Sequence, residues 1–249
     1  MQPSLTDAPV TQDWAAYTPA QHAVWHALYA RRMPALRDTA SRIFLEGADA
    51  IGLDSRHIPD LAGLNRLLTP RTGWSAVPVA GFLPAREFFG CLARRAFPTT
   101  ITIRPADRLD YVPEPDIFHD VFGHVPLHAD PVFADFLQRF GAVASRAADP
   151  DTIQRMARLF WFTVEFGLIR EEGAVKVYGS GLISSHADAA RALGPDCERR
   201  PFTLAAVLAQ PFRIDELQDL LFVVEDFRQL FDAVAEVDRG HGASLMGTG

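Results

Sequence analysis

The sequence predicts a mostly α-helical single domain with a few short β-strands, and three observations predict it. Apolar residues recur near helical spacing over most of the 249 residues. Start signals precede several of these segments, as at Thr18-Pro19 and Asp130-Pro131. Strand-like stretches are few and short, too few for a large sheet. No Ser/Gly linker, charge block, repeat or low-complexity stretch divides the chain. We therefore expect one domain over residues 1–249, with an ordered core at about 12–237 and a flexible Gly-rich tail at 238–249.

Each element has its own signal. Thr18 and Pro19 open a long amphipathic helix in which Val24, Leu28, Met33, Leu36 and Ile43 supply apolar surface, and Pro34 is expected to kink or break it. Pro59 to Leu68 and Pro84 to Phe97 read as short helices, followed by a β-rich Thr-Thr-Ile-Thr-Ile-Arg at 99–104. Asp116 can cap a short helix from Ile117 to Phe122 that Gly123 ends. Asp130-Pro131 opens a helix to about Ala147. Asp149 to Arg170 is the clearest helix, with Ile153, Met156, Phe160, Val164 and Leu168 near helical spacing and Gly173 as its stop. Val175 to Ile183 carries small strand signals, Ser185 caps a helix to Leu193, and Asp215 to Val237 reads as the last long helix.

Composition narrows the function classes. The hydrophobic share of 48% and the mean hydropathy of +0.02 fit a filled globular core. A formal charge of −7 and a pI near 5.6 argue against nucleic-acid or anionic-membrane partners. No run of membrane-spanning length and no signal peptide is evident. Cys91 and Cys197 read as reduced thiols, so a cytoplasmic protein is expected.

The chemistry concentrates in two segments. His119 and His124 lie in Pro-Glu-Pro-Asp-Ile-Phe-His-Asp-Val-Phe-Gly-His-Val-Pro at 113–126, and Glu165 lies in Phe-Trp-Phe-Thr-Val-Glu-Phe-Gly-Leu at 160–168. Glu165 is the only ionisable residue between Leu159 and Ile169, so its carboxylate needs a cation to offset desolvation. A divalent metal held by two imidazoles and one carboxylate is an economical answer and describes the facial triad of non-haem iron enzymes. A buried arginine such as Arg104 is an alternative, and the same ligand set serves catalytic zinc. On a continuous α-helix five residues would place the imidazoles about 140° apart, so a break at Gly123, reinforced by Pro126, is expected to turn both toward one centre. The spacing differs from the His-Glu-x-x-His of zinc proteases. His22 and His26 share a helical face but lack an acidic partner, Pro126 disrupts pairing of His128 with His124, and His57, His186 and His241 stand singly.

The segments at 113–127 and 161–168, together with Tyr-Gly-Ser-Gly-Leu-Ile-Ser-Ser at 178–185, resemble the pterin-dependent aromatic amino acid hydroxylases, most closely the short bacterial members that act on phenylalanine. The resemblance implies a mostly helical catalytic domain, Fe(II), a tetrahydropterin and dioxygen. It implies that His119, His124 and Glu165 are the iron ligands and that Arg104, oriented by Asp116, clamps the substrate carboxylate. Gly181 and Ser184 would line the amino acid site, Pro115 and Trp161 would wall the substrate ring, and Phe88 would stack on the pterin. Gly81, Phe82 and Leu83 would offer backbone contacts to it. Three positions depart from the animal members: Val112 replaces a threonine, Ala85 a serine, and Asp120 a glutamate that faces the pterin.

Ile214 falls where phenylalanine enzymes of the family resemble one another in having an aliphatic residue, and Trp161 matches the phenylalanine and tyrosine enzymes. The expected reaction is hydroxylation of L-phenylalanine to L-tyrosine with O₂ and a tetrahydropterin, giving 4a-hydroxytetrahydropterin. An apolar pocket rejects an added hydroxyl only about a hundredfold, so some promiscuity is compatible with it. The rivals are tryptophan hydroxylation, a His₂Glu zinc hydrolase, and a non-catalytic pterin- or amino-acid-binding protein. No regulatory or tetramerisation domain is expected, and hence a monomer.

Overall fold

The computed structural model describes residues 10–110, 114–214 and 216–246, with side chains through 239. A capping box starts α1 (Pro19–Thr39): the Thr18 side chain accepts from Gln21 N–H at 3.3 Å while Gln21 Oε1 accepts from Thr18 N–H at 2.8 Å. The helix runs through Pro34 without a break. It ends instead at Ala40 and Ser41, where Ser41 N–H donates to Val177 O at 2.8 Å, and α2 (Arg42–Ala50) follows. Asp60 accepts from the Ala62 and Gly63 N–H groups to start α3 (Leu61–Thr72).

Strand β1 (Ser75–Val79), helix α4 (Ala85–Ala93) and strand β2 (Ala96–Thr100) form one crossover unit, with the two strands parallel in the register Ser75↔Ala96 to Val79↔Thr100. The α4 helix therefore stops four residues before Phe97, which belongs to β2, and the strand begins three residues before the expected 99–104 stretch and ends at Thr100. Main-chain pairing to β1 decides this register, a non-local effect that local β-propensity cannot supply.

Asp130 caps α5 (Pro131–Ala144) through Phe133 N–H at 2.8 Å, and Asp149 caps α6 (Pro150–Phe160) through Thr152 N–H at 2.8 Å. The expected continuous helix to Arg170 is not formed. After α6 the chain winds into a π turn, Trp161–Glu165, and then enters strand β3 (Leu168–Glu171). Gly173 is not a helix stop. It forms with Glu172 the two-residue loop to β4 (Ala174–Val177), and the positive φ values of both residues, 51° and 80°, suit a tight hairpin.

Five-residue α7 (Ser180–Ser184) leads to α8 (His186–Leu193), which Ser185 caps as expected. Strand β5 (Glu198–Pro201) and helix α9 (Leu204–Ala209) follow. Asp215 lies outside the described residues. The segment expected to continue as helix from there instead contains strand β6 (Leu220–Val224), and α10 (Arg228–Met246) starts only after it. Much of the expected flexible tail thus continues α10, and residues 247–249 lie outside the described residues. The second sheet has the order β4-β3-β6-β5, with β3 antiparallel to β4 and β6 parallel to both β3 and β5.

The core is rich in aromatic rings. Trp25 of α1 and Phe44 of α2 pack on Phe118 and Phe122 at centroid distances of 5.3 and 5.8 Å, and those two phenylalanines stack at 4.5 Å. Fully burying one such ring contributes about 1.5–3 kcal/mol. This packing anchors the segment that carries His119 and His124.

Candidate active site

A π turn, Phe118–His124, presents the two histidines. Hydrogen bonds that join residue i to i+5 make one turn wide enough to bring positions 119 and 124 onto the same side. Gly123 is not a break in the winding, which passes through it into a 3-10 turn, Val125–Ala129. Its lack of a side chain serves packing, because a Cβ there would lie 2.9 Å from Ser180 O on α7. Asp116 starts the turn by accepting from His119 N–H at 3.0 Å.

Glu165 closes the second π turn and faces the histidines. His124 Nε2 lies 3.2 Å from Glu165 Oε1 and 3.3 Å from His119 Nε2, and His119 Nε2 lies 3.7 Å from Glu165 Oε2. The imidazoles stand nearly perpendicular, at 84°. All three side chains offer a ligand atom within 4.8 Å of the others, the geometry of a group that could hold a metal ion. Burial works to raise the Glu165 pKa, but the charges of His124 and His119 and hydrogen bonds from His124 and Ser180 bring it down to about 2. An ionised carboxylate is the protonation state that metal coordination requires.

The tautomer of His119 is also fixed by its surroundings. Ser184 Oγ donates its only proton to Ser180 O at 2.8 Å and lies 3.0 Å from His119 Nδ1. It must therefore accept from Nδ1–H, so in the neutral imidazole the Nε2 lone pair faces Glu165 and His124.

Arg104 is not the cation for Glu165. It is buried on Asp116, donating Nε–H to Oδ2 at 2.8 Å, Nη2–H to Oδ1 at 2.9 Å and its backbone N–H to Oδ2 at 2.9 Å. Its Nη1–H reaches Leu109 O at 3.2 Å, and its guanidinium lies 5.8 Å from the Phe118 ring centroid. Burial works to raise the Asp116 pKa, yet Arg104's hydrogen bonds and charge, with His119 N–H, hold it below its ordinary value. The pair is a fork-shaped salt bridge that couples the loop after β2 to the start of the histidine turn.

These ligand atoms open on a cavity of about 510 Å³ whose wall is mostly apolar. Gly81, Phe82, Leu83, Phe88, Pro115, Asp120 and Trp161 all line it. Phe82 is 84% exposed at the rim. Asp120 accepts at Oδ2 from Thr100 N–H at 2.7 Å and from Thr100 Oγ1–H at 2.8 Å. Burial pushes its carboxyl up against the pull of the histidines and Thr100. Arg104, Asp116, Gly181 and Ser184 stand behind the wall rather than in it.

Ile214 is brought to no part of the cavity, being 74% exposed. Phe212, two residues earlier, lines it and stacks on Trp161 at 4.8 Å and 21°. Phe97, Phe160 and Ala85 are further wall residues, and Val112 lies outside the described residues. Sequence reasoning passed over Phe97, Phe160 and Phe212 because a wall phenylalanine and a core phenylalanine leave the same local pattern.

The sequence profile of the biopterin-dependent aromatic amino acid hydroxylases matches residues 11–239. The chain belongs to this family. It is 43% identical over 225 residues to phenylalanine-4-hydroxylase of Caulobacter vibrioides, covering 90% of this chain and 76% of the relative. Phenylalanine hydroxylase of Chromobacterium violaceum with iron(III) and 7,8-dihydrobiopterin superposes at a TM-score of 0.90 and 38% identity, covering 98% of this chain and 89% of that one. The same enzyme with iron and phenylalanine gives 0.87 and 37%, covering 95% and 88%. The hydroxylase catalytic fold of the Chromobacterium violaceum enzyme is thus also the fold of this chain.

Proposed function

We propose that this chain hydroxylates L-phenylalanine to L-tyrosine with O₂ and a tetrahydropterin at a mononuclear Fe(II) held by His119, His124 and Glu165. The observation that carries the residue assignment is the meeting of two imidazole nitrogens and an ionised carboxylate at the wall of an aromatic-lined cavity. That the solved relative binds iron and dihydrobiopterin, and in another crystal iron and phenylalanine, supports the substrate and cofactor assignment.

When bound, the iron and the reduced pterin supply the oxygen-activating chemistry and the electrons. The residues supply position. Ser184 keeps the His119 Nε2 lone pair available, and Glu165 remains charged. Trp161, Phe212 and Pro115 offer an apolar slot for the substrate ring, while Phe88 offers a face for the pterin. Arg104 is the residue proposed to bind the substrate carboxylate, although Asp116 and Leu109 hold its guanidinium outside the cavity lining. The apolar lining keeps bulk water from the reacting groups.

On this reading the chain acts as a monomeric catalytic domain in the cytoplasm, and no helix among the described residues is long and apolar enough to cross a membrane. Sedimentation of the purified protein checks the monomer. Product analysis with phenylalanine, tyrosine and tryptophan checks the substrate: tyrosine formed from phenylalanine, dependent on iron and pterin, supports the proposal. Turnover independent of O₂ and pterin with Zn²⁺ contradicts it.

A further inference from the structure

Helix α7 stands behind the three convergent donors and carries a second hydroxyl beside that of Ser184. Ser180 Oγ lies 2.7 Å from Glu165 Oε2 and 3.3 Å from Val164 O. The hydroxyl has one proton to give. The shorter contact, to an ionised oxygen, is the stronger, since charge-assisted hydrogen bonds are about twice as strong as neutral ones. Ser180 is fully buried, so bulk solvent does not compete for that proton.

The helix that carries it is held from both sides. A five-residue helix is too short to hold its own shape. Buried Arg32 of α1 donates Nε–H to Ile183 O at 2.8 Å and Nη2–H to Leu182 O at 2.9 Å, tying down carbonyls at its C-terminal end. At its N-terminal end, Gly123 of the histidine turn packs so closely that an added Cβ would meet Ser180 O at 2.9 Å.

We propose that Ser180 is a positioning residue for the metal centre, its hydroxyl holding Oε2 so that the Glu165 carboxylate keeps one orientation, Oε1 toward His124 and Oε2 toward His119. The proposal rests on the reading of His119, His124 and Glu165 as metal ligands. Carboxylate ligands are themselves oriented by hydrogen bonds from a surrounding shell, and loss of such a partner weakens metal binding about 10–100-fold.

The test is an anaerobic titration of metal-free full-length protein with Co²⁺, reading both affinity and the visible ligand-field spectrum, for wild type and Ser180→Ala. Alanine is smaller and favours helix, so the fold is expected to survive. The expected result is affinity weaker by about tenfold or more, with altered cobalt bands. Ser41→Ala, which removes a buried hydroxyl that has no hydrogen-bond partner among the described residues, serves as the control and should change neither. Unchanged affinity or unchanged bands in Ser180→Ala overturn the proposal while leaving the ligand assignment standing. Failure of wild-type protein to bind Co²⁺ overturns the ligand assignment itself.

Discussion

Glu165 shows what a single side chain contributes at this centre. Its carboxylate faces His119 and His124, its Oε2 takes the Ser180 hydroxyl, and the cationic side chain suited to neutralise it, Arg104, is committed to Asp116. Replacing it with glutamine keeps the shape and removes the charge. Metal bound per chain after dialysis should fall at least tenfold in Glu165→Gln, and tyrosine formation should fall with it. Full metal occupancy with unchanged activity would contradict the ligand assignment. Glu165 stood out in the sequence as a candidate because an isolated carboxylate in an apolar run is costly enough to demand an explanation. Ser180 and Phe212 were not, because a serine hydroxyl and a phenylalanine ring acquire their meaning only from what the fold sets opposite them.

Among the elements, the two π turns matter most, each placing candidate ligand atoms that a regular α-helix would direct elsewhere. They were invisible in the sequence, where Gly123 suggested a helix break; only packing against α7 reveals why a glycine sits there. In Gly123→Ala the new Cβ meets Ser180 O at 2.9 Å and Ser180 Cβ at 3.2 Å. Denaturant unfolding of the metal-free protein should show a loss of about 1–3 kcal/mol, accompanied by weaker metal binding. The Arg104–Asp116 bridge ties a loop to the same turn. Asp116→Ala leaves a guanidinium buried without its counter-charge, and a loss of about 3–5 kcal/mol is expected by the same measurement. Starts of helices were well marked by side-chain caps at Thr18, Asp130, Asp149 and Ser185. Strands β3 and β6 were read as helix because Leu168-Ile169 and Leu220 to Val224 are short apolar runs without alternation, and such runs fit a buried strand or a buried helix equally.

Across the whole molecule, an aromatic core joins α1, α2 and α5 to the histidine turn, and one residue in it makes stability depend on pH. His128 stacks on Trp74 at 4.5 Å, is fully enclosed, and has no hydrogen-bond partner on either ring nitrogen among the described residues. Burial, with a smaller contribution from the His124 charge, lowers its pKa well below 6.5. Below about pH 6.5 the unfolded chain takes up a proton that the folded chain refuses, so stability is lost as the pH falls, by up to about 1.4 kcal/mol per unit. The difference in melting temperature between pH 7.5 and pH 5 should therefore shrink in His128→Phe relative to wild type, and an equal or larger difference would contradict this account of the core.

The most direct measurement on the molecule as a whole is anaerobic loading with Fe(II) followed by O₂, L-phenylalanine and a tetrahydropterin, with tyrosine formed measured against pterin oxidised. The account predicts tyrosine in proportion to pterin consumed, only when iron is bound, and its loss in Glu165→Gln. Pterin-independent product, or no tyrosine from protein fully loaded with iron, would contradict it.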